Sequence, residues 1–75
     1  MPVVDAADAV KRLKEKIREF NMVPEYISII SVDRRNGVWV IEFMYLFRRY
    51  VAEVDEDGRI LALKSRSMPL VGSPA

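Results

Sequence analysis

A chain of 75 residues makes a single domain with a small core, because at this size folding buries only about 60% of the surface that the unfolded chain exposes. Twelve Lys plus Arg against eleven Asp plus Glu leave a net charge of +1, without the basic excess of a nucleic-acid or anionic-membrane surface. With no Cys and no His there can be no disulfide, no Cys/His zinc site and no catalysis by either residue, so self-association is the remaining support for so small a core.

Asp5 is placed to cap a helix, with Asp8 in its first turn. Ala6, Val10, Leu13, Ile17 and Phe20 then recur at three- and four-residue steps, which predicts an amphipathic helix over Ala6 to Phe20. Asp8 before Arg12 and Glu15 before Arg18 suit a solvated far side. Asn21 is the expected C-cap and Pro24 a stop. Tyr26 to Val32 reads as a first strand, with Asp33 to Gly37 as the following turn, where Asn36 and Gly37 tolerate positive φ.

From Val38 to Val54 no Gly, Pro, Asn or Asp interrupts the chain. Trp39, Ile41, Phe43, Tyr45 and Phe47 alternate onto one strand face, while Val38, Val40, Met44 and Leu46 load the other with Glu42 as the only break. Val40, Phe43, Phe47, Tyr50 and Val54 also fit helical spacing, whereas the density of aromatic and β-branched residues favours strands. A 17-residue strand would far exceed the usual length of 3 to about 10, so a reversal is expected near Arg48 and Arg49. Asp55, Glu56, Asp57 and Gly58 form a further turn before a last strand at Arg59 to Lys64. The fold class is α+β: one N-terminal helix on a four-stranded antiparallel meander. Residues 1–64 form the domain, and residues 65–75, with two prolines, a flexible C-terminal tail.

Two segments carry a family resemblance: Gly37-Val38-Trp39-Val40-Ile41-Glu42-Phe43, and Tyr50-Val51-Ala52-Glu53-Val54-Asp55-Glu56-Asp57-Gly58-Arg59-Ile60-Leu61. With the order of elements, over about Val10 to Lys64, they resemble PepSY-like α+β modules and the gas-vesicle accessory protein O family. Leu46 to Tyr50 is more apolar and basic than that pattern, and the first residues of this sequence do not read as the secretion signal common among PepSY proteins. The resemblance implies a binding or regulatory module with no catalytic residues to transfer.

The residues themselves point the same way. Ser28, Ser31, Ser65, Ser67 and Ser73 are the only hydroxyls besides tyrosine, none in a G-x-S-x-G setting, so no enzyme, cofactor or small-molecule substrate is expected. Asp55, Glu56 and Asp57 lack the further ligands of a calcium loop and read as a hairpin turn. Glu42 and Glu53 are expected on one sheet face as solvated carboxylates. No apolar run reaches membrane-spanning length, and Asp5 and Asp8 stand where a signal peptide would be basic, which predicts a cytoplasmic protein. The chain also lacks Gln and Thr, a pattern found in proteins of hot environments.

One helix, about 10 to 12 Å across, cannot shield a four-stranded sheet near 19 Å wide, and the second face has no cover at all. Val38, Val40, Met44, Leu46 and Val51, with alternate residues of the outer strands, are therefore expected to form an apolar patch that pairs with a second copy or docks on another protein. The alternative is a small RNA- or DNA-binding protein that uses Arg34, Arg35, Arg48 and Arg49 beside Phe47 and Tyr50. In a meander those two arginine pairs fall at opposite ends of the sheet.

Overall fold

The computed structural model describes Val3 and residues 5–65. Helix α1 spans Ala6–Lys16, and a 3-10 turn carries it on over Ile17–Phe20. A second 3-10 turn, Pro24–Tyr26, leads into strands β1 (Ile27–Arg35), β2 (Val38–Tyr45), β3 (Arg48–Val54) and β4 (Ile60–Ser65). The four strands pair in sequence order, all antiparallel, so the fold is the α+β meander that the sequence predicts. Ser65, expected to open the tail, is the last residue of β4, and the remainder of the expected tail, residues 66–75, lies outside the described residues. No helix among the described residues is long and apolar enough to cross a membrane.

The helix begins where its cap dictates: an Asp5 carboxylate oxygen accepts the Asp8 N–H at 2.8 Å, one of the first-turn donors that have no partner inside the helix. Its last turn tightens to 3-10 geometry, and Asn21, at φ 60, closes it with its N–H on the Arg18 carbonyl. The buried stripe is Ala9, Leu13 and Ile17, at steps of four. Val10, expected in that stripe, is only half-buried, and Phe20 remains 46% exposed. Ala9 takes the inner position because its small side chain lets the helix backbone come close to the sheet.

Trp39, Ile41, Phe43 and Tyr45 all point under the helix and are buried, which fixes the parity of β2 as expected. Across the register, Val32 and Ala52 flank Ile41, and Ile29 and Tyr50 flank Phe43, so the helix-side layer is apolar over three strands. The helix reaches β1, β2 and β3. At the hairpin end, rings complete the layer. Phe43 stacks on Tyr50 with centroids 5.6 Å apart, and Tyr45 meets Tyr26 and Tyr50 edge-on at 6.3 and 6.2 Å. The Tyr45 hydroxyl also accepts the Val23 N–H at 2.8 Å and ties the connection after the helix to β2.

The turns depart from expectation in informative ways. The first hairpin turns at Asn36 and Gly37 alone, both at positive φ, and Asp33 to Arg35 extend β1 instead of forming the turn. Two residues with the correct backbone preference reverse the chain, and the ladder then recruits polar neighbours. The second reversal falls at Leu46–Phe47, earlier than expected, with Arg48 and Arg49 inside β3. Phe47 leaves the aromatic row and is fully exposed. The third turn is held by Asp55, whose carboxylate accepts the N–H groups of Asp57 and Arg59 at 2.9 Å each. Gly58, at φ +85, lets it sit against the helix, since a Cβ there would stand 3.1 Å from the Arg12 side chain.

Trp39→Ala or Phe43→Ala should destabilise the fold by about 3 to 5 kcal/mol, the usual cost of truncating a buried aromatic, and so abolish most of its stability. Urea unfolding followed by circular dichroism checks this. In the native protein, Trp39 fluorescence should resist quenching by acrylamide, since the residue is only 7% exposed.

Candidate functional site

The parity that sends Trp39 inward sends Val38, Val40, Glu42 and Met44 to the opposite face. On β3, Arg49, Val51 and Glu53 join them, because Tyr50, Ala52 and Val54 pack inward. Ala62 and Lys64 pair with Glu53 and Val51 from β4, and Ser31, Asp33 and Arg35 face outward from β1 opposite Glu42, Val40 and Val38. No element among the described residues lies over this face, and its apolar side chains are half-buried only by one another and by their charged neighbours.

Val38, Val40, Met44 and Val51 thus share the open face as expected. Leu46 does not belong to the strand: it is the first residue of the hairpin turn, 56% exposed at the rim of the face. The outer strands add to the apolar patch at their bulges, where Ile30 and Leu61, 45% and 55% exposed, stand beside the core-facing Ile29 and Ile60; apart from these and Ala62 they contribute Ser, Asp, Arg and Lys, so the continuous apolar strip runs along β2 and β3. Glu42 and Glu53 lie on this face in diagonal positions, and Glu42 is held by Arg49 at 3.2 Å, so they do not form a carboxylate pair. Sequence reasoning missed that ion pair, and the placement of Arg49 and Lys64 beside Val51, because the register of β3 against β2 follows from where the hairpin turns.

Both edges of the sheet are irregular. The register of β1 skips Ile30, and that of β4 skips Leu61, so each edge strand carries a bulge with an exposed aliphatic residue. Bulged edges are poor templates for adding a strand.

The four arginines divide as the meander requires. Arg34 and Arg35 pair with Trp39 and Val38 at one end, and Arg48 and Arg49 with Tyr45 and Met44 at the other. Arg34 lies over the Trp39 ring at 5.4 Å and binds the Glu56 carboxylate at 2.9 Å, so it serves the junction between the first and third turns. Arg35 and Arg48 make no ion pair among the described residues. Trp39 Nε1 is buried there without a hydrogen-bond partner among the described residues. No group of three or more acidic side chains among the described residues could hold a metal ion. Beside the helix, Ala7, Val10 and Pro24 line a shallow depression together with Lys11, Lys14, Glu15 and Arg18, open to solvent.

The hairpin tip is the most unusual local structure. Leu46 and Phe47 stand at φ 47 and 70, a region that side chains with a Cβ enter at a cost of roughly 1 to 2 kcal/mol per residue. Phe47 recovers none of that by packing, being fully exposed.

Compared with protein-family models, with curated proteins and with solved structures, the chain matches none of them. The reading of its function therefore rests on the geometry of the open face and the hairpin tip.

Replacing Leu46–Phe47 by Asn–Gly, the pair that suits two successive positive-φ positions, should stabilise the folded chain by about 1 to 2 kcal/mol. Chemical denaturation at protein concentrations low enough to exclude association is the measurement.

Proposed function

We propose that the protein is a non-enzymatic assembly module that pairs with a second copy of itself through the open sheet face. The observation that carries the reading is the outward row Val38, Val40, Met44 and Val51, apolar residues on the two central strands with no element over them among the described residues. A chain with a core this small gains much from removing that row from water, at about 25 cal/mol per Å² of apolar surface. A symmetric pairing does so twice with one patch. The resemblance to PepSY-like modules and to the gas-vesicle accessory protein O family agrees with a binding role, and we include it in the proposal.

Several features of the face support a protein partner over nucleic acid. Its acidic residues, Asp33, Glu42 and Glu53, balance Arg35, Arg49 and Lys64, so it offers phosphates no excess of positive charge. Of the four arginines that could serve nucleic acid, Arg34 and Arg49 are engaged by Glu56 and Glu42.

Light scattering after size exclusion, at low micromolar concentration, should return a homodimer mass. Val40→Glu should weaken the dimer, since it buries a new charge among apolar neighbours, while Glu42→Ala should leave it assembled. A wild-type chain that stays monomeric at high concentration defeats the proposal.

Labelled single-stranded RNA and duplex DNA, titrated at low salt, should show no binding that falls steeply with salt and requires Arg48 and Arg49. Micromolar binding lost in the Arg48→Ala, Arg49→Ala double variant would favour the nucleic-acid reading instead.

A further inference from the structure

We infer that the two copies stack face to face about a two-fold axis that runs across the strands, along the row where Glu42 pairs with Val51. The inference rests on the self-association proposed above and specifies its geometry. It comes from a symmetry in the outward residues of the two central strands. On β2 and its turn these are Val38, Val40, Glu42, Met44 and Leu46, arranged as apolar residues equally spaced on either side of Glu42. On β3 they are Arg49, Val51 and Glu53, opposite charges equally spaced on either side of Val51. Glu42 and Val51 are register partners, so both patterns share one centre line across the sheet.

A two-fold rotation about that line lays β2 on β2 of the partner and β3 on β3 of the partner, each running in the reverse direction. Val40 then faces Met44 of the partner subunit, and Val38 faces the hairpin end carrying Leu46 of the partner subunit. Short side chains stand against long ones on either side of the axis, which is how apolar layers interdigitate without voids, while on the axis Val51 meets Val51 of the partner subunit and the charged Glu42 and Lys64 meet their own copies. Glu53 faces Arg49 of the partner subunit, twice per dimer. Arg49 already holds its own Glu42 at 3.2 Å, so each Glu42 arrives at the axis, where it meets its own copy, as an ion pair instead of a bare carboxylate. The exposed, strained Leu46–Phe47 tip reaches over the partner and leaves solvent.

The other two-fold arrangement, with its axis along the strands, lays β2 on the partner's β3. Val40 would then meet Glu53 of the partner subunit, Met44 would meet Arg49 of the partner subunit, and Glu42 would meet Val51 of the partner subunit. Every charge on the central strands would be desolvated against an apolar side chain, which makes that arrangement the costlier one. Association edge to edge is opposed by the bulges at Ile30 and Leu61.

Two charge-reversal variants test the pairing by complementation. In Arg49→Glu alone, Glu53 would face a carboxylate of the partner. In Glu53→Lys alone, Arg49 would face an ammonium. Each variant should therefore dimerise at least about tenfold more weakly than wild type. An equimolar mixture should restore a heterodimer, because both cross-axis pairs become opposite again, and native mass spectrometry resolves the mixed species. If both variants dimerise like wild type, or if the mixture stays monomeric while wild type is dimeric, the geometry is wrong although self-association stands. If wild type itself is monomeric, the functional proposal fails and this inference with it.

A second measurement does not depend on charge reversal being tolerated. The chain has no Cys, so single cysteines can be introduced and joined with a bismaleimide reaching about 10 Å, the distance between stacked sheets. Val51→Cys, on the axis, should cross-link to itself. Val38→Cys should not, because its copies lie about 26 Å apart, eight residues at about 3.3 Å each. Self-cross-linking of Val38→Cys overturns the axis assigned here and favours the arrangement with its axis along the strands.

Discussion

Strand β2 is apolar on both faces, and one helix can cover only one of them. The rest of the molecule follows from that imbalance. The aromatic row Trp39, Ile41, Phe43 and Tyr45 offers more surface than Val38, Val40 and Met44, so the helix settles on the aromatic side, where burial is worth more. Eleven residues of α-helix still fall short of the sheet's area, and the layer is completed by side chains from elsewhere: the Tyr26, Tyr45 and Tyr50 rings at one end, Val3 and the Arg12 stem against Gly58 at the other. The third turn is fastened by three separate contacts, the Val3 N–H on the Glu56 carbonyl at 2.6 Å, Arg34 on the Glu56 carboxylate and Arg12 against Gly58. A small domain without cross-links can hold a long hairpin in place only by such contacts at its ends.

Much of this was legible in the sequence where the local signal and the tertiary outcome agree. Asp5 marks the start of the helix, Asn36 and Gly37 mark a hairpin, and the alternation of β2 gives the correct inward face because four successive large side chains, Trp39, Ile41, Phe43 and Tyr45, obey it. Legibility failed where size or backbone conformation, more than polarity, decides. Ala9 is invisible to a search for large apolar residues, yet it is the residue that lets the helix approach. Leu46 and Phe47 carry no preference for positive φ, so nothing in their chemistry announces a turn. Once that turn was misplaced toward Arg48 and Arg49, the Glu42–Arg49 pair and the Phe43–Tyr50 stack could not be read, because both depend on the register of β3 against β2.

The open face shows why a two-sided apolar strand need not make a greasy surface. Outer strands supply Asp33, Arg35 and Lys64, β2 supplies Glu42, and β3 supplies Arg49 and Glu53, so the strip of Val38, Val40, Met44 and Val51 stands among charges of both signs that sum to zero. Such a border limits non-specific sticking, since any partner must either match the charges or desolvate them. Apolar area then supplies affinity, and the order of charges along β3 selects orientation.

The strained tip is explained by what its alternatives would cost. A three-residue turn would pair Tyr45 with Arg49, invert β3, and place Arg49, Val51 and Glu53 beneath the helix while Tyr50, Ala52 and Val54 turned outward. Two charges would then enter the core without designed partners, a penalty of several kcal/mol each. A two-residue turn at Arg48–Arg49 would keep the parity but slide β3 along β2, so that Phe43 would meet Val54 and Glu42 would meet Asp55. The ring stack would be lost, a like-charge pair would form across the strands, and the Asp55–Gly58 turn would leave Arg34 and Arg12. Against these, positive φ at Leu46 and Phe47 costs roughly 1 to 2 kcal/mol apiece. The strain is therefore set by the register of the whole hairpin, and an apolar residue at Phe47 is permitted there only because β3 is locked by its partners on both sides.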